Sequence, residues 1–251
     1  CRHVLVEGIE IENSPFWVIH PYLCQDVVIR NVSIRARGHN NDGVDPEMSQ
    51  NVLIEGCCFD QGDDAIAIKS GRNHDAWRLG TPTKNVIVRN CRVKNGHQLV
   101  AIGSELSGGV ENVLVEDCEL DRSIASVGHL LFVKTNERRG GHVKNVVMRR
   151  IQAGNLLKGV LRIDSNVLYQ WRRLVPTYER RLTAISEISL AEIKTGSVEY
   201  VCWLSGDPES PIQDVLLEGV EVERVAGNEA VVRNVRGFRY ISRLQSEEDG
   251  Y

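Results

Sequence analysis

The sequence lacks the features that mark several large classes of protein. No segment approaches the ~20 consecutive apolar residues that a membrane-spanning helix needs. The 30 Lys and Arg residues are outnumbered by 34 Asp and Glu residues, so the chain has no basic excess of the kind found in nucleic-acid-binding proteins. The seven cysteines show neither CxxC pairs with histidine partners nor an even number suited to a disulfide framework. We therefore expect no membrane span, no nucleic-acid partner, no metal and no cofactor.

An internal repeat runs along most of the chain. Each copy starts with a polar residue, continues with an apolar–x–apolar step and two polar or small positions, and in most cases closes on a second apolar–x–apolar step. Successive copies, aligned on their first apolar residue, are separated by 23 to 42 residues. Such alternation, rich in Val and Ile, is the period of a half-buried strand rather than of a helix. The copies are HVLVEGIEI (3–11), DVVIRNVSI (26–34), NVLIEGCCF (51–59), NVIVRNCRV (85–93), NVLVEDCEL (112–120), NVVMRRIQA (145–153), EISLAEIKT (187–195) and DVLLEGVEV (214–222).

A second set of short apolar segments lies between most copies, so each repeat offers at least two strands joined by turns. A coil of this size cannot bury its apolar face alone, whereas stacked coils form parallel sheets around a continuous core. The pattern of a leucine-rich repeat is missing. We therefore predict an all-β solenoid of parallel sheets. The second segments are FWVIH (16–20), AIAIKSG (65–71), LVAIGSE (99–105), LLFVKTN (130–136), VLRIDSN (160–166) and YVCWLSG (200–206).

The repeat also predicts the domain organisation. One domain over 1–251 is the simplest division, with an inserted loop at about 166–183 where the spacing is longest. Cys57, Cys91 and Cys118 fall at equivalent inward positions and are expected to stack as a buried ladder. The chain opens on Cys1, already within the repeating part of the sequence and two residues before the first copy, so we expect an N-terminally truncated solenoid whose upstream coils are missing.

Deviations from the repeat predict a site on the outer face. Relative to the last inward residue of three second strands, Asp63 and His97 lie five positions earlier, and Lys69 and Lys134 lie one position later. Strand alternation points these odd offsets outward, so their side chains should share one face. The inward reference residues are Ile68, Ile102 and Val133. The small outward residues between the ionisable ones, which should form a floor for a sugar ring, are Ala65, Ala67 and Ala101.

Four acids should crowd this face, because Asp42 and Asp45 lie one coil before Asp63 and Asp64. Repulsion among carboxylates raises the pKa of one of them, which allows a general acid to stand beside a general base. Glycoside hydrolysis needs that division, and adjacent coils favour the wider separation of ~6.5–9.5 Å used by inverting enzymes. Both aspartates at 63 and 64 can face the cleft only if the chain bends at Gly62. Calcium binding is the rival use of such an oxygen cluster.

At these residues the sequence resembles glycoside hydrolase family 28, the polygalacturonases. The family motifs NTDG, DD, GHG and RIK are similar to NNDGVD (40–45), QGDDAIAIKSG (61–71), NGHQLVAIGSE (95–105) and LFVKTNERRGG (131–141). The resemblance covers essentially the whole chain and is greatest to the bacterial and exo-acting members. It implies a right-handed parallel β-helix that hydrolyses α-1,4-galacturonosyl bonds with inversion.

The resemblance also implies residue roles. Asp63 corresponds to the general acid that protonates the leaving oxygen, and Asp42 and Asp64 correspond to the pair that activates water. His97 corresponds to the histidine that tunes the acid, and Lys134 to the lysine that holds the substrate carboxylate.

The chain departs from the family motifs at three positions. Phe132 replaces the arginine of RIK, which removes one contact to a carboxylate. Arg72, Arg138 and Arg139 are candidates to supply that contact, and the spacing does not select among them. Gln98 replaces the second glycine of GHG, and an asparagine replaces the threonine of NTDG.

Lys69 and Asp45 complete the expected substrate-binding residues. The expected partner is an acidic polysaccharide or oligosaccharide of the pectic type, and the sequence specifies no oligomeric state. The resemblance implies a secreted or periplasmic protein. Two alternatives stay open: a β-helical polysaccharide lyase that uses calcium and a basic residue, and a non-catalytic β-helix that binds glycans or serves a structural role.

Overall fold

The computed structural model describes residues 1–121, 126–167 and 179–241, which form coils of parallel β-strands. The strands and the helix in chain order are β1 (Arg2–Glu7), β2 (Glu10–Glu12), β3 (Gln25–Arg30), β4 (Ser33–Ala36), β5 (Gln50–Glu55), β6 (Cys58–Gln61), β7 (Ile66–Ile68), α1 (Asn73–Leu79), β8 (Thr83–Arg89), β9 (Arg92–Asn95), β10 (Gln98–Gly103), β11 (Val110–Leu120), β12 (His129–Lys134), β13 (His142–Gln152), β14 (Gly159–Asp164), β15 (Ala184–Val198), β16 (Tyr200–Ser205), β17 (Ile212–Val225), β18 (Ala230–Arg233) and β19 (Val235–Ile241).

The repeat copies form the larger, 13-stranded sheet. Its main path runs β1-β3-β5-β8-β11-β13-β15-β17-β19, and β2, β4, β6 and β9 form a second column that joins β11. The two small or polar positions of each copy form the turn between a strand of the main path and a strand of the second column. Asn31 and Gly56 stand there with φ of 53° and 63°, a left-handed conformation that Gly and Asn tolerate best.

The second segments form the smaller sheet, in the order β18-β16-β14-β12-β10-β7. Ile102 pairs with Ile68 on one side and with Val133 on the other. This confirms the register that was predicted from the repeat, and it aligns Gly103 with Lys134 as well.

Apolar side chains from both sheets fill one core along the coils. Cys57, Cys91 and Cys118 are buried in it, at 1%, 2% and 0% exposure. Hydrogen bonding between neighbouring thiols, together with burial, raises the pKa of Cys57 and of Cys91. The predicted cysteine ladder is confirmed.

A ladder of amide side chains follows the start of the repeat copies. The side-chain amide of Asn51 donates a hydrogen bond to the Asp26 carboxylate at 2.8 Å. Each later asparagine donates in the same way to the side-chain oxygen of the asparagine one coil before it. The later hydrogen bonds are Asn85 to Asn51 at 2.9 Å, Asn112 to Asn85 at 3.0 Å and Asn145 to Asn112 at 2.8 Å. All these residues have positive φ, so a single residue type supplies both the local backbone conformation and the contact between coils.

Some local predictions need correction. Residues 16–20 form no strand and keep only an isolated bridge from Ile19 to Val44. Helix α1 and the pair β18 and β19 were not predicted. Within the expected insertion, residues 166–167 and 179–183 contain no strand beyond the bridge of Arg181 to Arg138, and residues 168–178 lie outside the described part. In the described ranges no helix is long and apolar enough to span a bilayer.

Candidate active site

A cleft of about 640 Å³ lies at the outer face of the smaller sheet and collects side chains from the coils between residues 16 and 134. Its lining is Phe16, Trp17, Asn40, Asp42, Asp63, Lys69, Arg72, His97, Gln98, Gly103, Ser104, Glu105, Phe132 and Lys134. Two further concavities, of about 650 and 690 Å³, are lined by other parts of the chain. Of these three concavities, the cleft is the one lined by predicted catalytic aspartates together with His97 and Lys134.

The chain bends where the aspartate pair enters the cleft. Strand β6 ends at Gln61, and the bend covers Gly62 and Asp63, as predicted. A Cβ at Gly62 would lie 2.5 Å from the backbone carbonyl carbon of Arg37, so only glycine fits between these coils. The bend breaks strand alternation and brings carboxylate oxygens of Asp63 and Asp64 within 4.8 Å of each other, with Asp63 alone of the pair in the cleft lining.

Asp63 and His97 stack on adjacent coils, as the repeat predicted. The Nδ1 atom of His97 lies 3.1 Å from the Oδ1 atom of Asp63. Burial pushes the pKa of Asp63 upward, but the hydrogen bond and charge of His97 outweigh it and hold that pKa below its usual value. The same hydrogen bond raises the pKa of His97. In the unliganded protein the pair therefore keeps its proton on the imidazole.

Lys69 lies under the opposite side of the cleft and is 4% exposed. Its ammonium group is 3.6 Å from Asp42, 3.6 Å from Asp45 and 3.5 Å from Glu105. It also lies 4.3 Å from the centre of the Trp17 ring, within the range of a cation–π contact. One cation thus pairs with carboxylates from the coil before its own and from the coil after it.

These carboxylates differ in protonation. Burial raises the pKa of Asp42 to about 6, with Lys69 opposing the rise. Burial also raises the pKa of Asp45 well above its usual value, and the neighbouring Asp42 adds to this. Burial would raise the pKa of Glu105 too, but Lys69 and Arg72 lower it to about 2. Asp45 is 0% exposed and lies outside the cleft lining, so its contact is with the charge network rather than with the cleft.

Asp64 is 0% exposed and, unlike Asp63, lies outside the cleft lining. It is bound by Lys134, whose Nζ lies 2.9 Å from Oδ2. The Oδ1 atom of Asp64 has no hydrogen-bond partner within the described part of the chain. Ligand atoms of Asp63, Asp64 and His97 lie within 4.8 Å of one another, a spacing that could hold a metal ion. Ca²⁺ prefers six to eight oxygen ligands, and the ammonium of Lys134 already contacts this cluster, so the geometry favours an ion pair.

The alanine floor needs correction. Ala65, Ala67 and Ala101 are all 0% exposed, because the longer side chains around them close over the strand surface. The cleft is lined instead by Lys134 and Phe132, whose ring centre lies 5.8 Å from the Lys134 ammonium.

The three candidate arginines occupy different environments. Arg72 lines the cleft, binds Glu105, and has a side chain that is 46% exposed. Arg139 is 4% exposed and donates to the Ser104 carbonyl at 2.7 Å and to Asn73 at 2.8 Å. Arg138 is 8% exposed and lies outside the cleft lining. Of the three, Arg72 is the one placed to meet a ligand.

Sequence reasoning missed several cleft residues. Phe16 and Trp17 stack on each other with ring centres 5.0 Å apart, and they lie in the segment that was predicted to be a strand. Glu105 is the last residue of the predicted segment LVAIGSE (99–105) and forms ion pairs with Lys69 and Arg72. Arg162 lies outside the cleft lining but pairs in register with the lining residue Phe132 and packs 4.9 Å from its ring centre. The sequence does contain a signal for Phe16 and Trp17, because two adjacent aromatic residues are unusual in a chain with 6% aromatic residues.

A model of the family described as Glycosyl hydrolases family 28 matches residues 1–243. A probable polygalacturonase from Vitis vinifera is 26% identical over 89% of this chain and 45% of its own length. An exo-poly-alpha-D-galacturonosidase from Dickeya chrysanthemi is 31% identical over 55% of this chain and 22% of its own length.

A solved structure gives the same result for the fold. The hyperthermoactive exopolygalacturonase from Thermotoga maritima superposes with a TM-score of 0.85 and 34% identity, covering 96% of this chain and 53% of that one. The likeness confirms the predicted right-handed parallel β-helix. The chain spans about half the length of the Vitis and Thermotoga proteins.

Proposed function

Because the chain belongs to the glycosyl hydrolases of family 28, we propose that it hydrolyses α-1,4-galacturonosyl bonds of pectic galacturonan or its oligosaccharides. Action from a chain end and inversion at the anomeric carbon are part of the proposal. The observation that carries it is that Asp42, Asp63, His97 and Lys134 line one cleft, and that the buried Asp64 lies next to Asp63 and is bound by Lys134. The names of the Vitis, Dickeya and Thermotoga proteins support the substrate class.

Asp63 is the proposed general acid. Its proton is stored on His97, 3.1 Å away, while the cleft is empty of sugar. A bound uronate adds negative charge and excludes water, and both effects raise the pKa of Asp63. The proton then passes from Nδ1 of His97 to Oδ1 of Asp63, and from there to the leaving oxygen.

Asp42 and Asp64 are the proposed bases for water. A pKa of about 6 leaves Asp42 ionised near neutral pH while keeping it basic enough to accept a proton. Asp64 offers an unoccupied buried acceptor, Oδ1, that can orient the attacking water. Lys134 fixes the other oxygen of Asp64.

Local cations provide the proposed recognition of the uronate carboxylate. Lys134 and Arg72 line the cleft, and Lys69 sets the charge beneath it. The stacked rings of Phe16 and Trp17 bound the cleft on the side of the earlier coils and offer an apolar face to a sugar. Polymeric galacturonan lies outside the cell, so we propose a secreted or periplasmic location for this protein.

The test is incubation of the purified chain with polygalacturonic acid in the presence of chelator, with reducing ends and ultraviolet absorbance followed together. We expect reducing ends without absorbance, lost in Asp63→Asn and retained in Asp117→Asn, a change to an exposed aspartate that is paired with Arg150 on the larger sheet. Monomeric product would support action from the chain end, and an anomeric NMR signal of inverted configuration would support the mechanism.

Other outcomes would contradict the proposal in distinct ways. An ultraviolet-absorbing product that disappears with chelator would indicate a calcium-dependent lyase. Binding that survives Asp63→Asn, without turnover in the parent protein, would indicate a glycan-binding module.

A further inference from the structure

A chain of three polar side chains leads from the cleft into the protein. The side-chain oxygen of Gln98 lies 2.9 Å from Nδ1 of His129, and Nε2 of His129 lies 2.7 Å from the hydroxyl of Tyr200. The residues are 8%, 4% and 6% exposed. Gln98 alone of the three lines the cleft, so the chain has one end at the proposed site.

The register of the smaller sheet builds this chain. Gln98 pairs with His129, His129 pairs with Gly159, and Gly159 pairs with Tyr200. A Cβ at Gly159 would lie 2.5 Å from two ring carbons of Tyr200. The missing side chain at 159 therefore lets the Tyr200 ring lie over that strand and reach His129, two strands away.

The charge state of His129 fixes the direction of the hydrogen bonds. Burial and the nearby Arg162, Lys158 and Lys134 lower the pKa of His129 to about 3, so the ring is neutral and carries one N–H. With the Gln98 oxygen facing Nδ1, that nitrogen donates and Nε2 accepts from the Tyr200 hydroxyl. The amide N–H groups of Gln98 therefore do not bind His129, and Gln98 is the residue of the three that lines the cleft.

We propose that Gln98 donates a hydrogen bond from its amide nitrogen to an acceptor oxygen of the sugar bound beside Asp63. His129 and Tyr200 are positioning residues that hold the amide in the donating orientation. The inference rests on the proposed hydrolysis of galacturonan and adds a substrate contact to it. A fixed amide binds more tightly than a mobile one, because it loses less conformational freedom when the sugar binds.

The test compares Gln98→Met with Gln98→Glu. Methionine keeps the length of the side chain and removes the donor. Glutamate keeps an acceptor for His129 but presents no N–H and repels a uronate. We expect kcat/KM for oligogalacturonides to fall about 10-fold in Gln98→Met, mainly through KM, since a neutral hydrogen bond is worth up to that factor. Gln98→Glu should lose more, because it also repels the uronate.

Tyr200→Phe tests the positioning role, because it removes the hydroxyl and keeps the ring over Gly159. We expect kcat/KM to fall about threefold to tenfold in the parent background and to stay unchanged when the same substitution is added to Gln98→Met. Tyr240→Phe is the matched control, in a half-buried tyrosine of β19 outside the cleft lining, and should leave both parameters unchanged.

The results separate the two proposals. Turnover by the parent chain with unaltered KM and kcat in Gln98→Met would overturn the inference while leaving the hydrolase proposal in place. Additive effects of Gln98→Met and Tyr200→Phe would overturn the positioning role. An inactive parent chain that also binds no oligogalacturonide would defeat both proposals.

Discussion

Lys69 controls the charge balance of the cleft. Burial lowers the pKa of this lysine, but Glu105, Asp45 and Asp42 raise it more, so the net shift is upward. A buried lysine of this kind adds little net stability to the folded protein, because burying its charge is costly. Its removal, however, leaves several buried carboxylates without a compensating positive charge.

Lys69→Met should therefore lower the free energy of unfolding by about 3–5 kcal/mol at pH 7. The loss should shrink as the pH falls towards the Asp42 pKa of about 6, because that pKa rises further without Lys69 and the protonated Asp42 no longer buries an unpaired charge. Urea denaturation between pH 4.5 and 8 measures it, within the range where the protein stays two-state. Lys144→Met, in an exposed pair with Glu187, should show a much smaller loss; equal losses would remove the special role of Lys69.

The two titrating groups of the proposed mechanism predict a bell-shaped pH dependence of kcat/KM. Activity should fall below about pH 6, where Asp42 takes up a proton. Activity should also fall at high pH, where His97 loses the proton that its raised pKa retains. In His97→Gln the stored proton is lost, and the high-pH limb should move to lower pH because Asp63 must then carry the proton itself.

His3→Gln serves as the control for the pH profile, since His3 lies on β1 with a side chain that is 81% exposed. Neither limb should move in that variant. A high-pH limb unaffected by His97→Gln would remove His97 from the proton path.

At the scale of elements, the junction of β6 with the bend at Gly62 decides where Asp63 and Asp64, two of the proposed catalytic aspartates, point. Gly62→Ala would place a Cβ against the backbone of Arg37, and neither coil can retreat without breaking its hydrogen bonds. We expect loss of activity together with a clear fall in the unfolding midpoint. Gly8→Ala, at a corner where an added Cβ meets nothing within 4 Å, should cost only the ~1–2 kcal/mol of left-handed strain. Wild-type activity in Gly62→Ala would show that the bend does not depend on glycine.

Sequence reasoning succeeded for elements governed by the repeat. The register of Ile68, Ile102 and Val133, and with it the stacking of Asp63 on His97, follows from strand alternation alone. It failed where the path between strands decides the contact. Trp17 reaches Lys69 from an irregular segment, and the alanines predicted to form a floor are covered by neighbouring long side chains, which no periodicity encodes.

At the scale of the whole molecule, both sheets share one continuous core, so a probe buried there reports global unfolding. Cys57, Cys91, Cys118 and Cys202 are buried, whereas Cys1 is exposed and Cys24 and Cys58 are intermediate. We expect thiol reagents to modify Cys1 quickly and the four buried cysteines only at the rate of global unfolding. Peptide mass analysis over time, with and without denaturant, measures this. Rapid native labelling of Cys91 would contradict the inward ladder.

The spread of the charge network over successive coils also bears on how the protein is made. A chain growing from its N-terminus presents Asp42 and Asp45 first, Lys69 about two dozen residues later and Lys134 much later still. Asp64 meets its ammonium partner only when β12 has docked. The nascent coils that carry the acids therefore remain electrostatically incomplete on the ribosome, and synthesis interrupted before residue 134 leaves a chain that has the carboxylates of the site without the cation that holds Asp64.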